Sequence, residues 1–95
     1  MNDRYILKNK EPVLETDLLK WASWFETADR IVAKTKVGKQ EVSTVFLGLD
    51  HNFGKGKPLL FETMIFPECE YCKRYSTWQE AEEGHKKAVK KIGGK

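Results

Sequence analysis

Two β-rich runs set the hydrophobic pattern of this chain, and the rest can be placed around them. In residues 41–49, Val42, Thr44 and Phe46 fall on one side of an extended strand, and Ser43, Val45, Leu47 and Leu49 on the other. Residues 59–66 repeat the alternation, with Leu60, Glu62, Met64 and Phe66 opposite Leu59, Phe61, Thr63 and Ile65. Between them lies the loop 50–58, rich in glycine and lysine and closed by Pro58, which lacks an N–H and suits a strand edge. The pattern predicts a central antiparallel hairpin.

Upstream, R-Y-I-L-K (4–8) reads as a short strand interrupted at Pro12. Thr16 or Asp17 caps a helix starting at Leu18. Its apolar residues, Leu18, Leu19, Trp21, Ala22, Trp24, Phe25 and Ala28, cover more than half of the helix surface, wider than one buried face needs. Residues 31–37 form a strand ending at a Gly38-Lys39 turn, and residues 71–75 form another after the P-E-C-E turn. A last helix opens at Ser76 or Thr77, both with capping-box spacing, and ends at Gly93-Gly94. Trp78, Ala81, His85, Ala88, Val89 and Ile92 share one stripe of it.

The order β-α-β-β-β-β-α predicts an α+β fold: an antiparallel sheet of 4–5 strands packed against two helices. It predicts one domain over residues 1–95, with its ordered core at about 4–92. A single helix layer leaves the other sheet face open, and a homodimer is one way to cover it.

Composition changes this picture little. At 40% hydrophobic and 33% charged, the chain has the balance of a globular protein. No apolar run reaches the ~20 residues of a membrane span, and M-N-D-R-Y carries no signal-peptide core, so a cytoplasmic location is expected. The net charge of +3 reflects the lysines at 86, 87, 90, 91 and 95, which follow Glu80, Glu82 and Glu83 in the order a helix dipole favours. A nucleic-acid surface is therefore not the favoured reading.

Several polar residues stand out against the pattern. Glu62 between Leu60 and Met64 is expected to pair with Arg30 or Arg74, or else to face a pocket, because an unpaired buried carboxylate costs several kcal/mol. His85 lies in the apolar stripe of the last helix beside Gly84, whose presence in a helix suggests close approach of another group. It reads as a hydrogen-bonded core histidine or as a site residue. Asp50 and His51 end the central strand. Lys55 sits in a loop whose glycines suit either a solvated hairpin or an anion cradle. Trp24, at the edge of its helix's apolar arc, is either a core residue or a contact aromatic. Cys69 and Cys72 (C-E-Y-C) lack the second pair a structural zinc site needs, so neither metal nor other cofactor is expected. No nucleophile motif surrounds Ser43, Thr44 or Ser76.

The runs D-L-L-K-W-A-S-W-F-E-T-A-D-R, S-T-V-F-L-G-L-D-H-N-F, L-L-F-E-T-M-I-F and R-Y-S-T-W-Q-E-A-E-E-G-H resemble a family of small uncharacterised proteins of tailed phages and prophages. The resemblance spans roughly residues 17–85. Its motif positions here include Trp21, Trp24, Glu26, Arg30, Asp50, His51, Glu62, Arg74, Trp78 and His85. It implies action in the cytoplasm of an infected bacterium and carries no assigned activity. The expectation is a non-enzymatic binding protein, with counter-defence as one role, whose partner is a host protein or a small anionic ligand such as a nucleotide. For such a ligand, Arg30, Arg74 and the loop would hold phosphates, and a tryptophan would stack on a base, Trp24 and Trp78 being among the candidate ligand-binding residues. The alternatives are a nucleic-acid accessory protein, and a small hydrolase using Glu62 with Asp50, His51 or His85.

Overall fold

The computed structural model describes residues 3–52, 54–67 and 71–93. It shows an α+β fold with a two-stranded ribbon, a four-stranded antiparallel sheet and two helices. The turn residues Glu68 and Cys69, and with Cys69 the C-E-Y-C pair, lie outside the described residues.

The first expected strand is a hairpin, β1 (Tyr5–Lys8) paired with β2 (Glu11–Leu14). Asn9 and Lys10 both turn through positive φ, at 51° and 69°, the backbone hand that matches the twist of a two-residue hairpin. Pro12 therefore does not end the ribbon. It sits opposite Leu7 in an outer strand that has no further neighbour to bond.

Helix α1 (Leu18–Thr27) starts at Asp17, whose Oδ1 accepts from the backbone N–H groups of Leu19 (2.9 Å) and Lys20 (3.1 Å). Its wide apolar arc is only partly used: Leu19 remains 80% exposed, and no residue of the helix is fully buried. The inner side is anchored by Trp21, whose Nε1–H is shared between the carbonyls of Tyr5 and Gly48, each at 3.1 Å.

The main sheet runs β3 (Ile31–Val37), β4 (Gln40–Phe46), β5 (Phe61–Phe66) and β6 (Cys72–Tyr75), in that spatial order. The central hairpin is β4–β5, with Val42 opposite Ile65 and Phe46 opposite Phe61. The regular ladder of β4 stops at Phe46 rather than running to Leu49. Gly48 turns through φ +78° there, and its carbonyl accepts from Tyr5 N (2.8 Å) as well as from Trp21. A side chain at Gly48 would meet the Phe25 ring at 2.7 Å, so glycine is needed both for φ and for space.

Helix α2 (Trp78–Lys91) opens with a full capping box between Thr77 and Glu80, and Gly93 at φ +94° follows it. It lies on the side of the sheet that carries Val42, Thr44, Phe46, Phe61, Thr63 and Ile65. One apolar cluster joins Phe46, Leu60, Phe61 and Ala81 to Tyr5, Leu7, Trp24 and Trp78; a second joins Val42, Ile65 and Ala88 to Tyr71, Val89 and Ile92. The hairpin and α1 thus share α2's side of the sheet. Register places Lys34, Ser43, Val45, Glu62, Met64, Cys72 and Arg74 on the other side, which is left uncovered. No helix of the described residues is long and apolar enough to cross a membrane.

Candidate functional site

Between the two apolar clusters, α2 meets the sheet through polar groups. The ring of His85, 5% exposed, bonds through Nδ1 to Thr44 Oγ1 (2.7 Å) and through Nε2 to Thr35 Oγ1 (2.9 Å). Thr44 Oγ1 also bonds to Thr63 Oγ1. Each hydroxyl can donate or accept, so a neutral imidazole of either tautomer is satisfied. Burial pushes the His85 pKa below its ordinary value, which holds the ring neutral. The chain Thr35–His85–Thr44–Thr63 ties α2 to three neighbouring strands.

The sequence hinted at these partners. Thr44 lies between Val42 and Phe46 on a buried strand face, and Thr63 lies between Phe61 and Ile65. A hydroxyl in such a place must find a partner across the strand or above it. Only the strand register shows that the two meet, since Thr44 is directly opposite Thr63.

Gly84 has a separate reason to be glycine. A Cβ there would overlap the Tyr75 phenol, so its absence lets the ring lie flush against the helix backbone. The Tyr75 hydroxyl is buried without a partner in hydrogen-bond geometry. Nearness to Thr63 lowers its pKa, but burial dominates and raises it. Beside this contact an open cleft of about 380 Å³ separates β6 from α2, lined by Tyr71, Lys73, Tyr75, Glu80, Glu83, Gly84 and Lys87.

Glu62 points to the uncovered face. Its Oε2 accepts from Arg74 Nε at 2.9 Å and from the Cys72 thiol at 3.2 Å, so Arg74 rather than Arg30 is its partner. Burial first, then the Glu62 carboxylate, raises the Cys72 pKa and keeps the thiol protonated, against a smaller opposing effect of Arg74. Glu62 and His85 lie on opposite faces of the sheet, so they share no site.

Arg30 leads into β3, at the opposite edge of the sheet from Arg74. Its Nη1 donates to Phe46 O (3.2 Å), and its guanidinium sits 3.9 Å from the Phe25 ring centre. Trp24 packs edge-on against Phe46 (5.8 Å), and Trp78 against Phe61 (6.1 Å). Both half-buried tryptophans therefore border one core cluster. The buried Nε1–H of Trp78 has no partner, and Lys10 Nζ lies 5.4 Å from its ring centre.

The 50–58 loop is internally bonded. Asp50 Oδ1 accepts from Asn52 N (2.7 Å) and Leu59 N (3.0 Å). Asn52 Nδ2 donates to the carbonyls of Lys55 (3.3 Å) and Lys57 (2.9 Å), while its Oδ1 accepts from Gly54 N (2.9 Å). His51 Nδ1–H donates to Leu49 O at 2.9 Å, which fixes that tautomer. The Gly54 N–H that an anion cradle would use is thus already spent on Asn52, and Lys55 is exposed at the loop surface.

The structure joins Glu62 to Arg74 and keeps Asp50 and His51 in one loop base, but it gathers the nine candidate residues into no single site. Among the described residues, no three or more His, Cys, Asp or Glu side chains converge to hold a metal ion. No protein-family model, curated protein or solved structure matches this chain.

Proposed function

We propose that this chain is a small non-enzymatic binding protein of phage or prophage origin that acts in the infected bacterium by holding a host protein. The origin rests on the sequence resemblance alone. The binding role rests on one observation: a four-stranded sheet covered on one side only. Its bare face presents Val45 and Met64 half-buried and Ile31 and Phe66 47% and 39% exposed, with Lys34, Lys36 and Arg74 around them. Contiguous apolar surface rimmed by charge is a common feature of protein-binding surfaces.

The groups that acid–base catalysis would draw on are engaged in holding the fold. His85 is bonded at both nitrogens, Asp50 organises a loop, and Glu62 is paired. The nucleotide version loses its cradle, because Arg74 is paired with Glu62, Arg30 donates to the Phe46 carbonyl, and the Gly54 N–H is spent on Asn52.

Native mass spectrometry of the tagged chain recovered from bacteria tests the reading. The expected result is a stoichiometric protein adduct that an Ile31→Glu, Phe66→Glu variant loses and a Leu19→Glu control on α1 retains. A retained small molecule with no protein adduct would overturn the partner class. Substrate turnover lost in His85→Ala or Glu62→Gln would overturn the non-enzymatic reading.

A further inference from the structure

We infer that the partner that covers the bare face also adds a strand: an extended peptide segment of it pairs antiparallel with the outer edge of β6, with side chains entering the cleft between β6 and α2. This rests on the binding role proposed above and assigns it a place and a chemistry.

The sheet has two edges, and they differ. The β3 edge is irregular, with a register shift between Ile31 and Ala33, and it carries exposed Lys34 and Lys36. Bulges and lysines are the usual devices that discourage pairing at an edge. The β6 edge carries basic residues too, Lys73 and Arg74, but its register is unbroken and it borders the cleft, where a groove lies beside an unpaired strand and a helix forms its far wall. Protein modules that bind extended peptides by strand addition use this arrangement, with main-chain bonds supplying affinity and the groove selecting side chains.

The groove also has a polarity. Ala81 packs in the cluster that Tyr75 borders, and Ala88 packs in the cluster that Tyr71 borders, so α2 runs antiparallel to β6. Glu80 and Glu83 therefore stand toward the Tyr75 end, while Lys87 stands toward the Tyr71 end with Lys73 on the facing strand. Between them, the Tyr75 ring on Gly84 makes a rigid apolar floor. Every pairing in the main sheet is antiparallel, and an added strand that continues this pattern enters at the Tyr75 end. The matching segment carries a basic residue near its N-terminal end, small or β-branched apolar residues in the middle, and an acidic residue near its C-terminal end.

The probe is the peptide acetyl-KTVTE-amide, whose basic, apolar and acidic residues at positions 1, 3 and 5 share one face of a strand and so enter the cleft together; it is titrated into the isotope-labelled full chain and followed by amide shifts and hydrogen exchange. The expected result is new exchange protection within Cys72–Tyr75. Alternate N-methylation of the peptide backbone, which leaves the side chains intact, is expected to abolish it. Charge reversal of both exposed lysines, Lys73→Glu with Lys87→Glu, is expected to weaken binding about tenfold, as is the reversed-charge peptide acetyl-ETVTK-amide. Failure of KTVTE to protect the β6 amides, or equal binding of the N-methylated peptide, overturns strand addition. Shifts confined to Val45, Met64 and Ile31 would overturn it too, yet would leave the binding role standing with the bare face as its surface. Substrate turnover by the chain, by contrast, would remove the binding role itself.

Discussion

Replacing Gly84 with alanine tests how α2 is seated. In an unobstructed helix interior this change stabilises by about 1 kcal/mol, since alanine loses less backbone freedom on folding. Here the new methyl would occupy the space of the Tyr75 phenol. Forcing a methyl into a filled contact costs about 1–3 kcal/mol. The expected net result is a loss of up to about 2 kcal/mol, opposite in sign to the helix preference. For a domain of this size that lowers the melting temperature by on the order of 10 °C. Urea denaturation followed by tryptophan fluorescence reads it directly, because Trp24 and Trp78 border the same core cluster as Tyr75. The control is the same substitution in a Tyr75→Ala background, where the obstruction is gone and the helix gain should reappear. The coupling between the two sites is then about 2 kcal/mol, within the range for residues in contact. A Gly84→Ala protein more stable than the parent would refute the close seating of Tyr75 on α2.

Tyr75→Phe removes a buried hydroxyl that has no partner in good geometry, and is expected to leave stability unchanged or raise it by up to about 1 kcal/mol; a loss above that would show a working bond to Thr63. Because burial depresses the His85 pKa below 6.5, the unfolded chain takes up that proton first. The His85 contribution is therefore complete above about pH 6.5 and falls as pH drops toward the folded pKa, by at most about 1.4 kcal/mol per pH unit. Denaturation midpoints across that window should decline on acidification and flatten in His85→Leu; a rise would contradict a buried neutral ring. Asp50→Ala leaves the N–H groups of Asn52 and Leu59 without their acceptor and should cost about 1–3 kcal/mol, with faster exchange at both amides. Glu62→Gln should cost no more than about 1 kcal/mol, since Arg74 is exposed and solvent screens the pair.

The strands, their alternation and the helix caps were local properties, and the sequence was enough to find them. The helix starts, read to within one residue as Thr16 or Asp17 and Ser76 or Thr77, and the Gly38 turn follow from residues a few positions apart, and the pairing of β4 with β5 from two alternating runs joined by a single loop. So did the idea of a sheet bare on one side, from counting helices against strands. Which side was bare did not follow. Val45, Leu47 and Leu49 are as apolar as Val42 and Phe46, yet α2 covers the face with Thr44 and Thr63 because His85 and the small residues Ala81, Gly84 and Ala88 fit it. His85 could be singled out on its helix, but its partners come from strands 41 and 50 residues away in the chain. Gly84 could be suspected of a close contact, but not with Tyr75, and the choice of Arg74 over Arg30 for Glu62 depended on which strand lies next to β5. The second strand of the N-terminal hairpin was obscured by Pro12, a residue whose missing N–H matters only where a neighbouring strand needs it. Short-range preference is written in neighbouring residues, whereas the identity of a partner across the core depends on packing all elements at once, and only the tertiary structure decides that.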